Sequence, residues 1–501
     1  MKIFLAFVLF TLLRFDCYGQ IKGDYVWQLG FYSHPQNHDS PRSLEIKFND
    51  QVRIIDTLYR PMEFSFFNTS ISNDFGELQL YSNGCQIRDG HHRFIEGSNY
   101  LNPGSVDDDW CILGRAGYPI SEGGIFLQFL NGNLTILLHQ RLIIKGNPTE
   151  VPVDKLFYTS LTRIDSSFEI IEKSIPLIID TLTTGNLEAT RSYSSDSWWV
   201  LQGQRDSNGY YSIKIDSGNI DTIFLQNIGD PTLKIGEASG QVAFSPDGRL
   251  YARYTPLDDL FLFNFDRNNG TLSNYRKIHV ADSGDLGGIA FSPNSRFLYV
   301  NSKIDMYQFD MWASDIEKSK IHLGHYDGYV SSFPTTFFHM QLGPDCRIYV
   351  LPPNGVDVMH VIEYPDEKGL ACGFEQHSIR LPYNNTISLP NFPNYRLDIA
   401  EPCDPSITTF LQDEKISRLN LEIYPNPANS MIQISANNNI EIRGPVKVVI
   451  YNLLAQEILT SELDMSSGVA ILNIETLPNG YYHLTMVADH QYYTGAFVKT
   501  E

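Results

Sequence analysis

The sequence predicts an all-β protein, and three observations carry that prediction. Short apolar runs alternate inward and outward residues, as in Val446-Lys447-Val448-Val449-Ile450-Tyr451 and Tyr482-His483-Leu484-Thr485-Met486. One strand–turn–strand unit recurs in register: Val242-Ala243-Phe244-Ser245-Pro246-Asp247-Gly248-Arg249-Leu250-Tyr251, then Ile289-Ala290-Phe291-Ser292-Pro293-Asn294-Ser295-Arg296-Phe297-Leu298, then Gln341-Leu342-Gly343-Pro344-Asp345-Cys346-Arg347-Ile348-Tyr349. Its prolines fall 47 and 51 residues apart, the period of repeats built from several short strands. A single four-stranded unit cannot bury both of its faces, so such units stack radially into a β-propeller.

Each repeat justifies its own elements. Proline at the second turn position presets φ, and Asp or Asn followed by Gly or Ser suits a tight turn between two strands. A third strand follows in each unit, at 260–265, 306–309 and 356–362. Earlier units keep the form with altered turns: Asn73-Asp74-Phe75-Gly76 between two strands, Asn131-Gly132-Asn133 between 124–129 and 134–139, and Trp198-Trp199-Val200-Leu201 opening a second strand. Blades therefore start near residues 68, 124, 196, 241, 288 and 338. A seventh is assembled from both ends, with strands at 25–31, 43–48 and 52–58 and a closing strand supplied by 387–397, which would hide the sheet edges. Seven blades are expected; six or eight also fit the spacing. At the level of this blade motif the chain resembles WD-repeat-like and lactonase-like propellers.

The two ends read as processing and transport segments. Lys2 followed by an apolar run over 3–13 is too short to span a bilayer, which takes roughly 20 residues. With the small Gly19 after Tyr18 it reads as a signal peptide over 1–19, leaving Gln20 first. The propeller is expected over 20–400. Residues 401–418, rich in Pro, Asp, Ser and Thr, read as a linker. A small immunoglobulin-like β-sandwich follows over 419–501.

That last segment carries Pro425-Asn426-Pro427, then Val448 to Gln456 as strand and hairpin, then Asn479-Gly480-Tyr481-Tyr482, and finally Lys499 near the end. Prolines on both sides of Asn426 fix the backbone and deny donors to a sheet edge, so the motif is a rigid corner. Together these resemble the C-terminal sorting domain of the type IX secretion system of Bacteroidota. Ala455 stands where glycine is commoner, and Glu501 makes the ending less basic than many. The resemblance implies Pro425, Asn426, Pro427, Asn479, Gly480, Tyr482 and Lys499 as sorting-signal residues. It implies the outer-membrane translocon and a sorting peptidase as partners, and release of the cargo or its transfer to surface lipopolysaccharide. The destination it implies is the cell surface or the medium.

Composition narrows the function. A 42% hydrophobic, 13% aromatic chain buries a large core, and a formal charge of −21 argues against nucleic acid and anionic membranes. Outside the leader stand Cys85, Cys111, Cys346, Cys372 and Cys403. Neighbourhood in sequence suggests Cys85 with Cys111 and Cys346 with Cys372, although Cys403 could take either of the last two. No CxxC pair suggests zinc or thioredoxin chemistry, and no cofactor is expected.

Catalytic signatures are sparse. Asp89 with His91 and His92, and Asp107-Asp108-Asp109 before Trp110, could offer oxygen ligands to calcium, but the alternating ligand spacing of a calcium loop is missing. His325-Tyr326-Asp327-Gly328 resembles the structural Gly-His turn of WD-repeat blades. His339, His360 and His377 fall in or beside strands, where local hydrogen bonds account for them. No Gly-x-Ser-x-Gly elbow is present. Three readings follow: a non-catalytic module binding glycan, peptide or another surface protein; a hydrolase, lactonase or lyase with its site in the central channel; and a structural component of the envelope or gliding apparatus. Inward carboxylates would favour the second, and a plugged channel would count against it. The triplets beginning at Asp56, Asp180 and Asp221 (Asp-Thr-Leu or Asp-Thr-Ile) resemble O-glycosylation acceptors.

Overall fold

The computed structural model describes residues 22–31, 43–48, 53–58, 60–114, 117–129, 133–145, 150–165, 167–193, 196–232, 239–280, 284–395, 397, 419–436, 445–452, 457–465, 469–488 and 491–500. The chain divides into two compact units, Met1–Thr409 and Phe410–Glu501. The expected leader and linker lie outside the described residues, as does Cys403.

Seven antiparallel sheets make up the described part of the first unit. In chain order they comprise Val26–Gly30, Ser43–Phe48 and Arg53–Leu58; then Thr69–Ser72, Leu78–Ser82 and Ile87–Asp89; then Gly124–Gln128, Leu134–Leu142, Val153–Ile164 and Ser167–Leu182. The fourth comprises Glu188–Arg191, Ser197–Gly203, Gly209–Asp216 and Asn219–Asn227. The fifth comprises Gln241–Phe244, Leu250–Thr255, Asp259–Asp266 and Thr271–Ile278. The sixth is Gly288–Phe291, Phe297–Asn301, Asp305–Asp310 and Ile321–His325, and the seventh Met340–Leu342, Ile348–Val350, Val358–Ile362 and Phe374–Arg380.

Within each sheet the strands pair in chain order, and the first strands of successive sheets pack together, as 69–72 does on 124–128 and 241–244 on 288–291. Burial follows that order. Thr69–Ser72, Glu188–Arg191 and Gly288–Phe291 are buried throughout, while Asn219–Asn227 on the opposite edge is largely exposed. The first strands are therefore the inner lining and the last strands the rim of a propeller-like arrangement. The first and seventh sheets meet through aromatic packing: Trp27 lies 5.2 Å from Tyr349, and Phe48 lies 5.9 Å from it. Such ring pairs add to the hydrophobic gain of closing the set.

The repeated turn explains its own sequence. Gly248, Ser295 and Cys346 occupy the same turn position at φ 67°, 61° and 67°, a left-handed conformation that glycine adopts without cost. Ser245 Oγ accepts from the Leu250 amide at 2.9 Å, and Ser292 Oγ from that of Phe297 at 2.9 Å. Two of the repeated arginines tie neighbouring strands: Arg296 Nη2 lies 2.9 Å from Asp310, and Arg347 pairs with both Asp345 and Glu363.

Two expectations need correcting. The described residues of 387–397 form no closing strand, because Pro390 and Pro393 lack the N–H groups a ladder needs. The first sheet keeps three strands from the N-terminal side. Nor do Cys346 and Cys372 pair. Cys372 is a free, buried thiol packed in the core with Tyr299 and Ile348, whereas Cys346 sits at the turn tip and is disulfide-bonded elsewhere. Cys85 and Cys111 do form a disulfide, with their Cα atoms 5.3 Å apart.

The second unit holds seven strands in the order 457–464, 445–452, 480–488, 491–499, 419–424, 431–436, 469–473. The strand Leu419–Tyr424 runs parallel to Gln491–Lys499 at its start and antiparallel to Met431–Ala436 beyond it. It thus joins two ladders whose inward residues, among them Ile432, Ile434, Val448, Ile450, Leu484 and Phe497, make one core.

Candidate functional site

The central feature of the first unit is a segment of its own chain. After the seventh sheet, residues 384–395 run along the inner strands. Asn385 starts at one end, its Oδ1 accepting from the Gly30 amide at 2.8 Å and its own amide donating to Val356 O at 2.8 Å. Ser388 Oγ donates to Phe64 O at 2.8 Å, and Thr386 bonds the same carbonyl. Asn391 Nδ2 donates to Leu187 O at 2.9 Å and Gly124 O at 3.2 Å, and its amide donates to Asn68 O at 2.8 Å. Asn394 then reaches the far end, its amide donating to Ala189 O at 2.7 Å and its Nδ2 to Ser245 O at 2.9 Å. Phe64, Asn68 and Leu187 precede inner strands and Ser245 follows one, so the segment passes from one end of the lining to the other. It runs parallel to the inner strand at Thr190. The sequence supports this path: prolines cannot join a ladder, and asparagine side chains carry donors to inner-strand carbonyls that would otherwise be buried unpaired.

Beside this segment lies a residual cavity of about 70 Å³, lined by Glu122, Glu188, Gln241 and Asn391 with the inner strands of the fifth to seventh sheets. Glu122 keeps partial exposure onto that space, although protein encloses it, and it adopts φ 51°. Burial pushes its carboxyl up to about 8, against hydrogen bonds from Gln241 and the Val242 amide that favour the ionised form. Glu188 is raised well above the usual carboxylate range by burial and by Glu122. Its Oε1 accepts from the Ala189 amide at 3.1 Å. Two carboxyls so placed cannot both ionise cheaply, so the pair holds protons at neutral pH. Gln241 knits the lining together: its Oε1 accepts from the Ile289 and Met340 amides and its Nε2 donates to Met340 O. Small-molecule sites generally occupy roughly 300–1,000 Å³, so the cavity has room for waters and not for a sugar lactone.

The other candidate residues make local hydrogen bonds. Asp89 accepts from the His91 and Arg93 amides and from Arg93 Nε at 2.7 Å, which closes a turn. His92 bonds Tyr81 OH at 2.9 Å. Asp107 accepts from the Asn102 amide, and burial raises it to about 6; Asp108 bonds Tyr100. His339 bonds Gly240 O at 3.2 Å, and His360 Nδ1 accepts from the His377 amide at 2.8 Å. Burial lowers both to about 4. His325 shares Asp305 with His322. Among the described residues no group of three or more metal-ligating side chains converges. Sequence reasoning singled out none of Glu122, Glu188 and Asn391, which are separated widely along the chain.

In the second unit the sequence-selected residues gather at one end. Asn426 Oδ1 accepts from the Val498 amide at 2.9 Å and its Nδ2 donates to Ala496 O at 3.1 Å, so the Pro425-Asn426-Pro427 corner is pinned to the last strand. Lys499, mostly buried, lies opposite Gly480 in the ladder and bridges to Ala428. Tyr482 stacks on Phe497 at 5.5 Å, and its hydroxyl donates to Pro478 O at 2.8 Å, closing the turn that holds Asn479.

Residues 422–500 match the family described as the secretion system C-terminal sorting domain. That defines the class: a chain with a type IX sorting tail, exported to the cell surface or beyond. No curated protein matches it in sequence. Similar solved structures include a provisionally assigned 6-phosphogluconolactonase from Bacteroides uniformis, at 11% identity and a TM-score of 0.39, spanning 73% of this chain and 99% of that one. A second, from Bacteroides fragilis, is 8% identical with a TM-score of 0.36, spanning 73% and 97%. The Dos1 propeller is 8% identical with a TM-score of 0.31, spanning 65% and 87%. Among the described residues no helix is long and apolar enough to cross a membrane.

Proposed function

We propose that the exported protein is a non-catalytic binding module, a seven-bladed propeller over 20–400 joined by a linker at 401–418 to an immunoglobulin-like sorting sandwich at 419–501. The observation that carries this reading is the segment 384–395, which fills the channel where a propeller enzyme would hold its substrate. Seven sheets in sequence, with the first packed on the seventh, support the blade number. The signal peptide over 1–19, the translocon and sorting peptidase as partners, and a bacteroidotal source belong to the same reading. So do the sorting roles of Pro425, Asn426, Pro427, Asn479, Gly480, Tyr482 and Lys499. Surface lipopolysaccharide, glycan or protein is the ligand class it leaves for the exposed loops.

The Glu122–Glu188 pair favours a second reading, a hydrolase or lactonase. Incubating the secreted protein with aldonolactones and aryl esters decides between them. No turnover is expected. Turnover that disappears in Glu122→Gln would establish the enzyme. For export, deleting 419–501 should trap the chain in the periplasm; surface delivery of the truncated form would overturn the sorting role.

A further inference from the structure

The loop between the second and third sheets, with Leu142, Ile144, Val151 and Thr184, lines a concavity of about 280 Å³. Among the described residues its walls are Val106, Trp110, Pro119, Leu142, Ile144 and Val151, with Asp109 and Thr184 as the polar lining residues. Trp110, Ile144 and Val151 are 37%, 49% and 44% exposed, so three large apolar side chains face solvent in one place, where single exposed residues would be unremarkable. The platform is held in place. Cys111, next to Trp110, is disulfide-bonded to Cys85, and the Trp110 ring packs edge-on against Phe66 at 5.9 Å. A bridge between Lys145 and Glu150 sets Ile144 beside Val151. A site fixed before binding loses little ordering entropy.

We propose that this pocket receives an apolar side chain from a basic segment of a partner protein; the proposal rests on the binding-module reading above. Two features select that occupant. A sugar ring would leave most of its hydroxyls unpaired against six apolar walls, at a cost for each, whereas an aliphatic or aromatic side chain would not. Asp109 stands at the lining, and Asp108 before it is also exposed. Among the described residues nearby, the cations Arg141 and Arg205 are paired with Asp154 at 2.5 Å and Glu150 at 3.9 Å, and Lys145 is the exception. The chain carries a net charge of −21, so a basic partner is attracted overall and locally. Tryptophan in a desolvated pocket is the residue type that most often dominates such contacts.

The test uses the secreted protein and nine-residue peptides by calorimetry. One peptide places a central leucine among arginines, one replaces the leucine with serine, and one replaces the arginines with glutamates. The leucine–arginine peptide is expected to bind. Trp110→Ala and Ile144→Asn should each weaken it at least tenfold, and Asp109→Asn should weaken it severalfold and flatten its salt dependence. Ile144→Asn changes an exposed wall residue, so unchanged thermal unfolding keeps the result interpretable if Trp110→Ala misfolds. The proposal is overturned if no peptide binds, if serine or glutamate peptides bind equally, or if the pocket variants leave binding intact. It is also overturned if a glycan-array signal, and not the peptide signal, is lost in Trp110→Ala. Turnover sensitive to Glu122→Gln would sink the binding-module reading separately, without touching this pocket.

Discussion

Each unit contains an asparagine set among prolines, and the two differ in what surrounds them. In Pro390-Asn391-Phe392-Pro393 the asparagine is buried against the inner strands, and its side chain donates to Gly124 O and Leu187 O. In Pro425-Asn426-Pro427 the asparagine is exposed and bonds Val498 and Ala496 on the last strand. Both sequences deny the backbone a full ladder and give the side chain a place to bond. The difference is water: bulk solvent can replace Asn426, whereas only the few waters that a cavity of about 70 Å³ holds could lie beside Asn391. A buried pairing therefore stabilises the first unit, while an exposed one shapes the surface of the second.

That contrast is broken most directly at Asn391. Asn391→Leu would leave the Gly124 and Leu187 carbonyls buried without a donor, a loss of about 2–4 kcal/mol for the two groups. Chemical unfolding should show the first unit destabilised by that amount with the second unchanged. A loss below about 1 kcal/mol would mean that water reaches these carbonyls and that the channel is less well filled than its hydrogen bonds indicate. Next in size is the Cys85–Cys111 bond, which closes a loop with a sequence separation of 26. The Cys85→Ser, Cys111→Ser double variant should lose about 3 kcal/mol and, with it, the rigidity of the Trp110 platform.

The lining carboxyls give a smaller effect that depends on pH. Glu122 and Glu188 have folded pKa values raised above the unfolded value, so the folded state binds protons that the unfolded state has lost, and stability falls as pH rises. His139, His339 and His360 act oppositely at acid pH, because burial lowers them to about 3, 4 and 4. Between roughly pH 6.5, the ordinary histidine value, and about 8 for Glu122, the unfolded histidines lose their last protons, their opposing contribution dies away and the carboxyls come to dominate. The unfolding free energy should decline across that window by up to about 1.4 kcal/mol per pH unit for each carboxyl. Glu122→Gln or Glu188→Gln should flatten the slope. An unchanged slope in both variants would place the titration elsewhere.

The same contrast explains what the sequence disclosed. The repeat was legible because Ser245-Pro246-Asp247-Gly248 and its copies encode a local turn, and the inner strands begin where those turns require. The tail was legible because Asn426, Gly480 and Lys499 lie in short motifs whose register brings them together. The filled channel was not. Ile387, Leu389, Phe392 and Leu397 read as an apolar strand, and only the prolines argued otherwise. Glu122 and Glu188 stand 66 residues apart, with nothing local to join them; only the packing of inner strands from separate sheets does so. Cys372 was misassigned for a related reason: proximity in sequence to Cys346 says nothing of a side chain turned into the core beside Tyr299.

The smallest stability effect is expected at Asn426, and it sharpens the comparison most. Asn426→Ala removes one accepted and one donated bond at an exposed corner, where water can satisfy the Val498 amide and the Ala496 carbonyl. The second unit should lose about 0.5–1.5 kcal/mol, well below the Asn391→Leu effect. On the proposed sorting role, export should respond differently, because the exposed Asn426 corner is open to a translocon or peptidase. Measuring the unfolding midpoint of the tail alongside the fraction of protein at the cell surface separates the two effects. A fall in surface delivery with the tail still folded assigns Asn426 to recognition. A tail destabilised as strongly as the first unit by Asn391→Leu would show that exposure does not govern the difference between these two asparagines.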